Sequence, residues 1–84
     1  MRWRTVYPEA LSWREFEGEL VVRNACTGST HLLNSLASEV FRALVEAEAG
    51  IGVAELTARL DEDPSSIEAV LADFERVGLA SASH

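Results

Sequence analysis

The feature that most constrains this chain is a change in the spacing of its apolar residues near residue 34. Before that point, short β-prone runs at residues 11–16, 20–23 and 30–33 are separated by turn residues. After it, apolar residues recur at the three- and four-residue intervals of amphipathic helices. We therefore expect an α+β fold, in which a three-stranded antiparallel sheet is followed by a bundle of helices.

Turns that contain glycine separate the three predicted strands. Glu17-Gly18-Glu19 suits a hairpin between the first two strands, and the turn-rich stretch 24–29 precedes the third. The first third of the chain is therefore predicted to be a β-meander. Residues 3–6 form a further candidate extended segment that Pro8 ends, and the sequence leaves its pairing open.

A first helix is predicted from an apolar face that starts just after the last strand. Either Asn34 or Ser35 is suited to cap its start, and Gly50 is expected to stop it. The residues of its apolar face are Leu36, Ala37, Val40, Phe41, Leu44 and Ala47. The residues of its opposite, polar face are Ser38, Glu39, Arg42 and Glu46.

Two further apolar stripes predict a short second helix and a longer third one. The turn at 61–64 ends the second helix, because the residue before a proline avoids the helical region. Ser65 and Glu68 match a capping box at the start of the third helix, and Gly78 is its stop signal. The stripes consist of Val53, Leu56 and Leu60, then of Ile67, Val70, Leu71, Phe74 and Val77. The result is a three-helix bundle with a helix-turn-helix, and the predicted fold is winged-helix-like.

Length and composition predict one globular domain over residues 1–84. A chain of this size buries only about 60 to 65% of its unfolded surface, too little for two cores. Its residues are 48% hydrophobic and 25% charged, as in folded proteins rather than disordered ones. No apolar run reaches the roughly 18 to 20 residues of a membrane span, and no apolar signal segment follows Met1. We expect a cytoplasmic protein with no membrane partner.

The sequence offers no set of residues suited to catalysis, metal binding or cofactor binding. Cys26 is the single cysteine, and His31 and His84 do not have the i, i+4 spacing of a ligand pair. The acids at 61–63 lie in a polar turn, which does not offer the pocket that a pair of catalytic carboxylates needs. We therefore predict a protein that is not an enzyme and holds neither metal nor cofactor. Cys26 is interpreted as structural, His31 as an ordinary strand residue, and the roles of Trp3 and Trp13 stay open between core and exposed anchor.

The distribution of charge disfavours nucleic-acid binding, although helix-turn-helix proteins often bind DNA. Residues 1–34 carry four arginines and four acids, whereas residues 35–84 carry three arginines and ten acids. The predicted recognition helix has Glu68, Asp73 and Glu75 against Arg76, where a DNA-binding helix would present basic residues to phosphates. By contrast, the edge of a three-stranded sheet is a template for an added peptide strand.

A loose pattern of turn and apolar residues extends over residues 6–80. It comprises Trp13, Glu17-Gly18-Glu19-Leu20-Val21-Val22, Asn24, Thr27-Gly28, Thr30-His31-Leu32-Leu33-Asn34 and the closing Asp73-Phe74-Glu75-Arg76-Val77-Gly78-Leu79. This pattern resembles the PqqD-like peptide chaperones, also called precursor-peptide recognition elements. The resemblance implies a cleft between the third strand and the third helix, in which a leader peptide adds as a strand and is presented to a modifying enzyme. Carried over by position, the peptide-binding residues would be Thr30, His31, Leu32, Leu33, Val70, Asp73, Phe74 and Val77.

Three interpretations of function remain open from the sequence. In the first, the chain is a peptide chaperone whose partners are a precursor peptide and a modifying enzyme or, as for relatives of the HPr-related system, a kinase-like protein. In the second, it is a DNA-binding transcriptional regulator. In the third, it docks a partner enzyme without a peptide client.

Overall fold

A β-meander precedes three helices in the computed structural model, which describes residues 1–6 and 8–83. The strands are β1 (Arg2–Thr5), β2 (Leu11–Phe16), β3 (Glu19–Asn24), β4 (Ser29–Leu33) and β5 (Ala80–Ser83). The helices are α1 (Ser35–Glu46), α2 (Val53–Leu60) and α3 (Pro64–Arg76), and a short 3-10 helix covers Pro8–Ala10. The predicted winged-helix-like α+β architecture is confirmed.

The meander forms a three-stranded antiparallel sheet in the order β2-β3-β4. A two-residue turn joins β2 to β3, and both Glu17 (φ 52°) and Gly18 (φ 83°) have the positive φ that a type I′ hairpin turn requires. This short turn fixes the register, with Phe16 opposite Glu19 and Trp13 opposite Val22.

A second, two-stranded sheet joins the two ends of the chain. β1 pairs antiparallel with β5, from Arg2 opposite Ser83 to Thr5 opposite Ala80. The partner of the extended segment near Trp3 is therefore β5, a strand that the sequence does not predict. The β5 sequence Ala-Ser-Ala-Ser has little intrinsic strand preference, so the pairing with β1 determines its conformation.

The core lies between the inner face of the meander and the three helices. Trp3 belongs to it with 8% exposure, whereas Trp13 is 41% exposed and rests edge-to-face on Phe41 at 5.2 Å between ring centroids. The fully buried large apolar residues are Leu20, Val22, Val40, Phe41, Leu44, Leu56, Ile67, Leu71 and Leu79. The two tryptophans thus divide between core and partly exposed surface.

Two local predictions were wrong. Ser38 does not lie on the polar face of α1 but is fully buried, because its hydroxyl bonds to the backbone of the sheet. The Ser65–Glu68 capping box does not form either. α3 begins earlier with Pro64 in its first turn, and Asp63 is the cap whose carboxylate accepts the Ser65 N–H at 2.8 Å.

The start of α1 and the end of α3 follow the expected residues, but Gly50 does not stop α1. That helix ends at Glu46 with Ala47 as its C-cap, and Gly50 lies in the loop that follows. Asn34 caps α1, since its Oδ1 accepts the Ala37 N–H at 2.8 Å, which decides between the two predicted caps. Gly78 follows α3 with φ 81°, and the Leu79 N–H donates to the Phe74 carbonyl at 2.8 Å in a Schellman-type ending. This ending places the end of α3 against the core beside β4.

Candidate functional site: the free edge of β4 beside α3

β4 is an edge strand of the meander. Within the part of the chain that the structure describes, it pairs with β3 on one side and with no strand on the other. Its residues alternate between the inner face, where Leu33 is buried, and the outer face, where Leu32 is 69% exposed. An edge of this kind presents backbone N–H and C=O groups that an extended segment can pair with.

The register determines which β4 backbone groups point away from the sheet. The Ala25 N–H, just after β3, donates to the Ala10 carbonyl at 2.9 Å. The backbone N–H and C=O groups of the odd-numbered β3 residues therefore point toward β2, and those of the even-numbered residues point toward β4. The even-numbered β3 residues lie opposite Ser29, His31 and Leu33, which therefore bond to β3. The N–H and C=O groups of Thr30 and Leu32 remain, and they point to the free edge.

A cleft of about 230 Å³ lies between β4 and α3. Its apolar lining combines the buried residues Leu33 and Phe74 with the half-buried Val70 and Val77. The full set of residues that line the cleft is His31, Leu32, Leu33, Asn34, Ala37, Val70, Asp73, Phe74, Arg76, Val77 and Leu79. The cleft runs beside the unpaired edge, so a strand added to β4 would have this partly apolar cavity on one of its faces.

Polar groups mark the rim of this cleft. Asp73 and Arg76 form an exposed ion pair at 2.7 Å on successive turns of α3. The His31 Nε2 lies 3.0 Å from the Ser29 Oγ, which in turn lies 2.6 Å from the Thr27 Oγ1. His31 thus contacts Ser29 of its own strand and lines the cleft, and no carboxylate of the described residues bonds to its ring.

The structure brings together most of the residues that the resemblance to PqqD-like chaperones predicts for a peptide site. His31, Leu32, Leu33, Val70, Asp73, Phe74 and Val77 all line the cleft. Thr30 does not, since its side chain is exposed on the outer face of the sheet. Sequence reasoning did not name the lining residues Asn34, Ala37, Arg76 and Leu79, although Ala37 belongs to the predicted α1 stripe and Arg76 lies one turn after Asp73.

The remaining candidate residues are not gathered into a second site. Cys26 is exposed in the β3–β4 turn, and the acids at 61–63 are exposed between α2 and α3. Over residues 1–6 and 8–83, no group of three His, Cys, Asp or Glu side chains is placed to hold a metal ion. None of the helices described is both long and apolar enough to cross a membrane.

The fold and the cleft together define a class: a winged-helix-like α+β protein with an unpaired sheet edge beside its last helix. A solved structure of the same fold is that of TbiB1 in complex with the TbiA(beta) leader peptide. The match has 19% sequence identity and a TM-score of 0.67, and it covers 95% of this chain and 99% of that chain. No protein-family model matches the sequence, and no curated protein matches it.

Proposed function

We propose that this protein is a non-catalytic, PqqD-like peptide chaperone that captures a leader segment as a strand beside β4. The observation that carries the proposal is the position of an unpaired strand edge next to a cleft with both apolar and polar lining, between β4 and α3. The shared fold of TbiB1, which was solved with a leader peptide, supports the same reading. Thr30 would contribute backbone groups, and Leu32 would contact the peptide from the outer face of the sheet. The other six lining residues named above would contact the peptide side chains in the cleft.

The energetics require both parts of the site. Each backbone hydrogen bond contributes about 0.5 to 1.5 kcal/mol, and the outward groups of Thr30 and Leu32 offer up to four bonds. Association costs about 4 kcal/mol or more, so these bonds leave little net affinity. Burial of peptide side chains against Leu33, Phe74 and Val77 supplies the rest at roughly 25 cal/mol per Å². The expected affinity is therefore micromolar rather than nanomolar.

The bound peptide would be presented to a partner modifying enzyme or kinase-like protein. This proposal follows from the lack of any catalytic constellation among the described residues and from the PqqD-like pattern of the sequence. DNA binding is less compatible with the structure, because exposed acids Glu68, Asp73 and Glu75 lie on α3 where a DNA-binding helix needs positive charge.

A peptide selection tests the proposal directly. A display library of random 15-residue peptides is selected on the purified protein, and the enriched peptides are measured by calorimetry. We expect micromolar binders with a run of β-prone residues. A protein that enriches no peptide, but is retained on duplex DNA with steep salt dependence, would contradict the proposal in favour of the regulator.

A pair of proline variants tests the edge of β4. Leu32→Pro removes an N–H that points to the free edge, so the variant should fold yet bind the selected peptide at least tenfold more weakly. His31→Pro removes an N–H that pairs with β3 and should lose the fold. Circular dichroism and calorimetry separate the two outcomes, and Leu32→Ala, which keeps the N–H, is the matched control. Unchanged affinity in a folded Leu32→Pro variant would exclude strand addition at β4.

A further inference from the structure

The outer face of the meander carries two arginines, Arg14 on β2 and Arg23 on β3, that no acid of the described residues engages. Arg23 is the one nearer to the free edge of β4. Arg2, Arg42, Arg59 and Arg76 each pair with a carboxylate of the chain. Arg23 is exposed on β3 and makes no such pair within residues 1–6 and 8–83. Since the chain has 14 acids and a net charge of −7, an arginine without a partner is an available site for an acidic group from outside.

The register places this arginine next to the proposed peptide strand. Arg23 lies directly opposite Thr30, and both side chains are exposed on the outer face. Arg23 and Thr30 thus form a row of outer-face residues that runs across the strands. If a peptide adds to β4 as an antiparallel strand, its residue opposite Thr30 becomes the next member of this row. Strands are spaced by about 4.8 Å, so that residue lies roughly 9.6 Å from the backbone of Arg23. Thr30 is short, and the arginine side chain can extend across it to meet a glutamate or aspartate side chain.

Leu32 determines which kind of peptide side chain is favoured at the next position on the outer face. It is 69% exposed on the same face, two residues from Thr30, and lies opposite Val21. A residue of the added strand opposite Leu32 gains contact area if it is apolar, because cross-strand pairs of apolar side chains stabilise a sheet. The outward face of the bound strand therefore meets an arginine in one row and a leucine in the adjacent row.

We propose that the peptide bound at β4 carries an acidic residue opposite Thr30, read by Arg23, and an apolar residue two positions away, packed on Leu32. This inference rests on the proposed function, and it assigns peptide specificity to the outer face of the sheet in addition to the cleft. The protein thus contacts both faces of the bound strand. Apolar side chains of one face enter the cleft, and the acidic and apolar side chains of the other face contact Arg23 and Leu32.

Arg14 provides a matched control for the charge of Arg23. It is exposed on the same outer face but lies on β2, one strand farther from the free edge, in the row of Val21 and Leu32. Its distance from an added strand is about 14 Å, three strand spacings, which is beyond the reach of a direct ion pair. Arg14→Glu and Arg23→Glu change the net charge of the protein equally and differ only in position.

The peptide selection is therefore repeated on three proteins: wild type, Arg23→Glu and Arg14→Glu, each checked for folding by circular dichroism. Wild type and Arg14→Glu should enrich Asp or Glu at one position, with an apolar residue two positions away, and Arg23→Glu should enrich Lys or Arg there. In calorimetry, Arg23→Glu should weaken binding of a wild-type-selected peptide about fivefold, and a Glu→Arg change in that peptide should restore it.

Two outcomes would overturn the inference, and they are distinguishable. If all three proteins enrich peptides with the same charge preference, the peptide site stands but Arg23 does not read an acid. If none of the three enriches any peptide, the proposed function fails, and the specificity of Arg23 fails with it.

Discussion

At the scale of single residues, Ser38 shows how one hydroxyl joins the sheet to a helix. It is fully buried in α1, where its Oγ accepts the Leu20 N–H at 2.9 Å and donates to the Leu33 carbonyl at 3.1 Å. The hydroxyl thus bridges two backbone groups at the end of the β3–β4 ladder. It also holds Leu33, a residue of the cleft, at a fixed distance from α1.

Ser38→Ala is expected to lower the free energy of unfolding by about 1 to 3 kcal/mol. The substitution removes no apolar contact, but it leaves two buried backbone groups without a partner, and such groups are costly. Urea denaturation measures the effect. Ser66→Ala, at an exposed serine of α3, is the control and should change stability by no more than about 0.5 kcal/mol. Equal stabilities of the two variants would show that the bridge is not made.

At the scale of elements, the start of α3 depends on a titratable cap. Hydrogen bonds from the Ser65 hydroxyl, at 2.6 Å, and from the Ser65 N–H hold the pKa of the Asp63 carboxyl below its ordinary value of 3.8. A carboxyl whose pKa is lowered by folding stabilises the protein above its unfolded pKa, and this contribution is lost as pH falls through the folded value. The cap of α3 is therefore weakened in acid.

The pH dependence of Asp63 can be isolated with two substitutions. Asp63→Asn keeps an acceptor at the cap but cannot titrate, whereas Asp63→Ala removes the cap. We expect the Tm difference between wild type and Asp63→Ala to be constant above about pH 5 and to shrink below the ordinary pKa of 3.8. The difference between Asp63→Asn and Asp63→Ala should stay flat over the same range. A wild-type difference that is also flat would contradict the lowered pKa.

The sequence predicted the elements whose apolar periodicity is strong and missed those that depend on tertiary context. The three strands of the meander and the three helices were predictable, because each has a stripe or a turn signal of its own. β5 was not, since Ala80–Ser83 contains no apolar stripe and becomes a strand only beside β1. Ser38 was misplaced because helical spacing marks a serine as polar, whereas its burial depends on two backbone groups of the sheet.

The candidate site was predictable in composition but not in orientation. The PqqD-like pattern predicted a peptide site formed by residues 30–33 and one side of α3. Seven of the eight peptide-binding residues that it predicted line the cleft. The sequence could not decide whether the backbone N–H groups that point to the free edge of β4 belong to Thr30 and Leu32 or to His31 and Leu33. That choice depends on the pairing of β3 with both neighbours, and here the Ala25–Ala10 hydrogen bond settles it.

At the scale of the whole molecule, a series of aromatic contacts connects the sheet to α3. Trp13 packs edge-to-face on Phe41 at 5.2 Å, and Phe41 packs edge-to-face on Phe74 at 6.2 Å between ring centroids. Phe74 is 3% exposed, so it belongs to the core even though part of it lines the cleft. The stability of the fold and the shape of the cleft therefore depend on the same side chain.

Phe74→Ala is expected to destabilise the protein by about 3 to 5 kcal/mol, a large part of the total for a small domain. Thermal unfolding measures the loss, and Glu75→Ala, at the exposed neighbour, should melt close to wild type. The enlarged cleft should also weaken a selected peptide at temperatures where the variant is still folded. If Phe74→Ala melts at the temperature of Glu75→Ala, the core assignment of this ring is wrong.

The pairing of β1 with β5 has a consequence for how the chain is made. Thr5 emerges from the ribosome 75 residues before its partner Ala80, which corresponds to about 4 to 15 s at the usual 5 to 20 residues per second. The hairpins of the meander form in microseconds, so they have ample time to form first. Ile51, whose N–H and C=O groups both bond to Trp3, is synthesised about 30 residues before β5, so Trp3 can gain this bridge first. Its pairing with Ala82 has to wait for β5, the last strand of the fold to be synthesised.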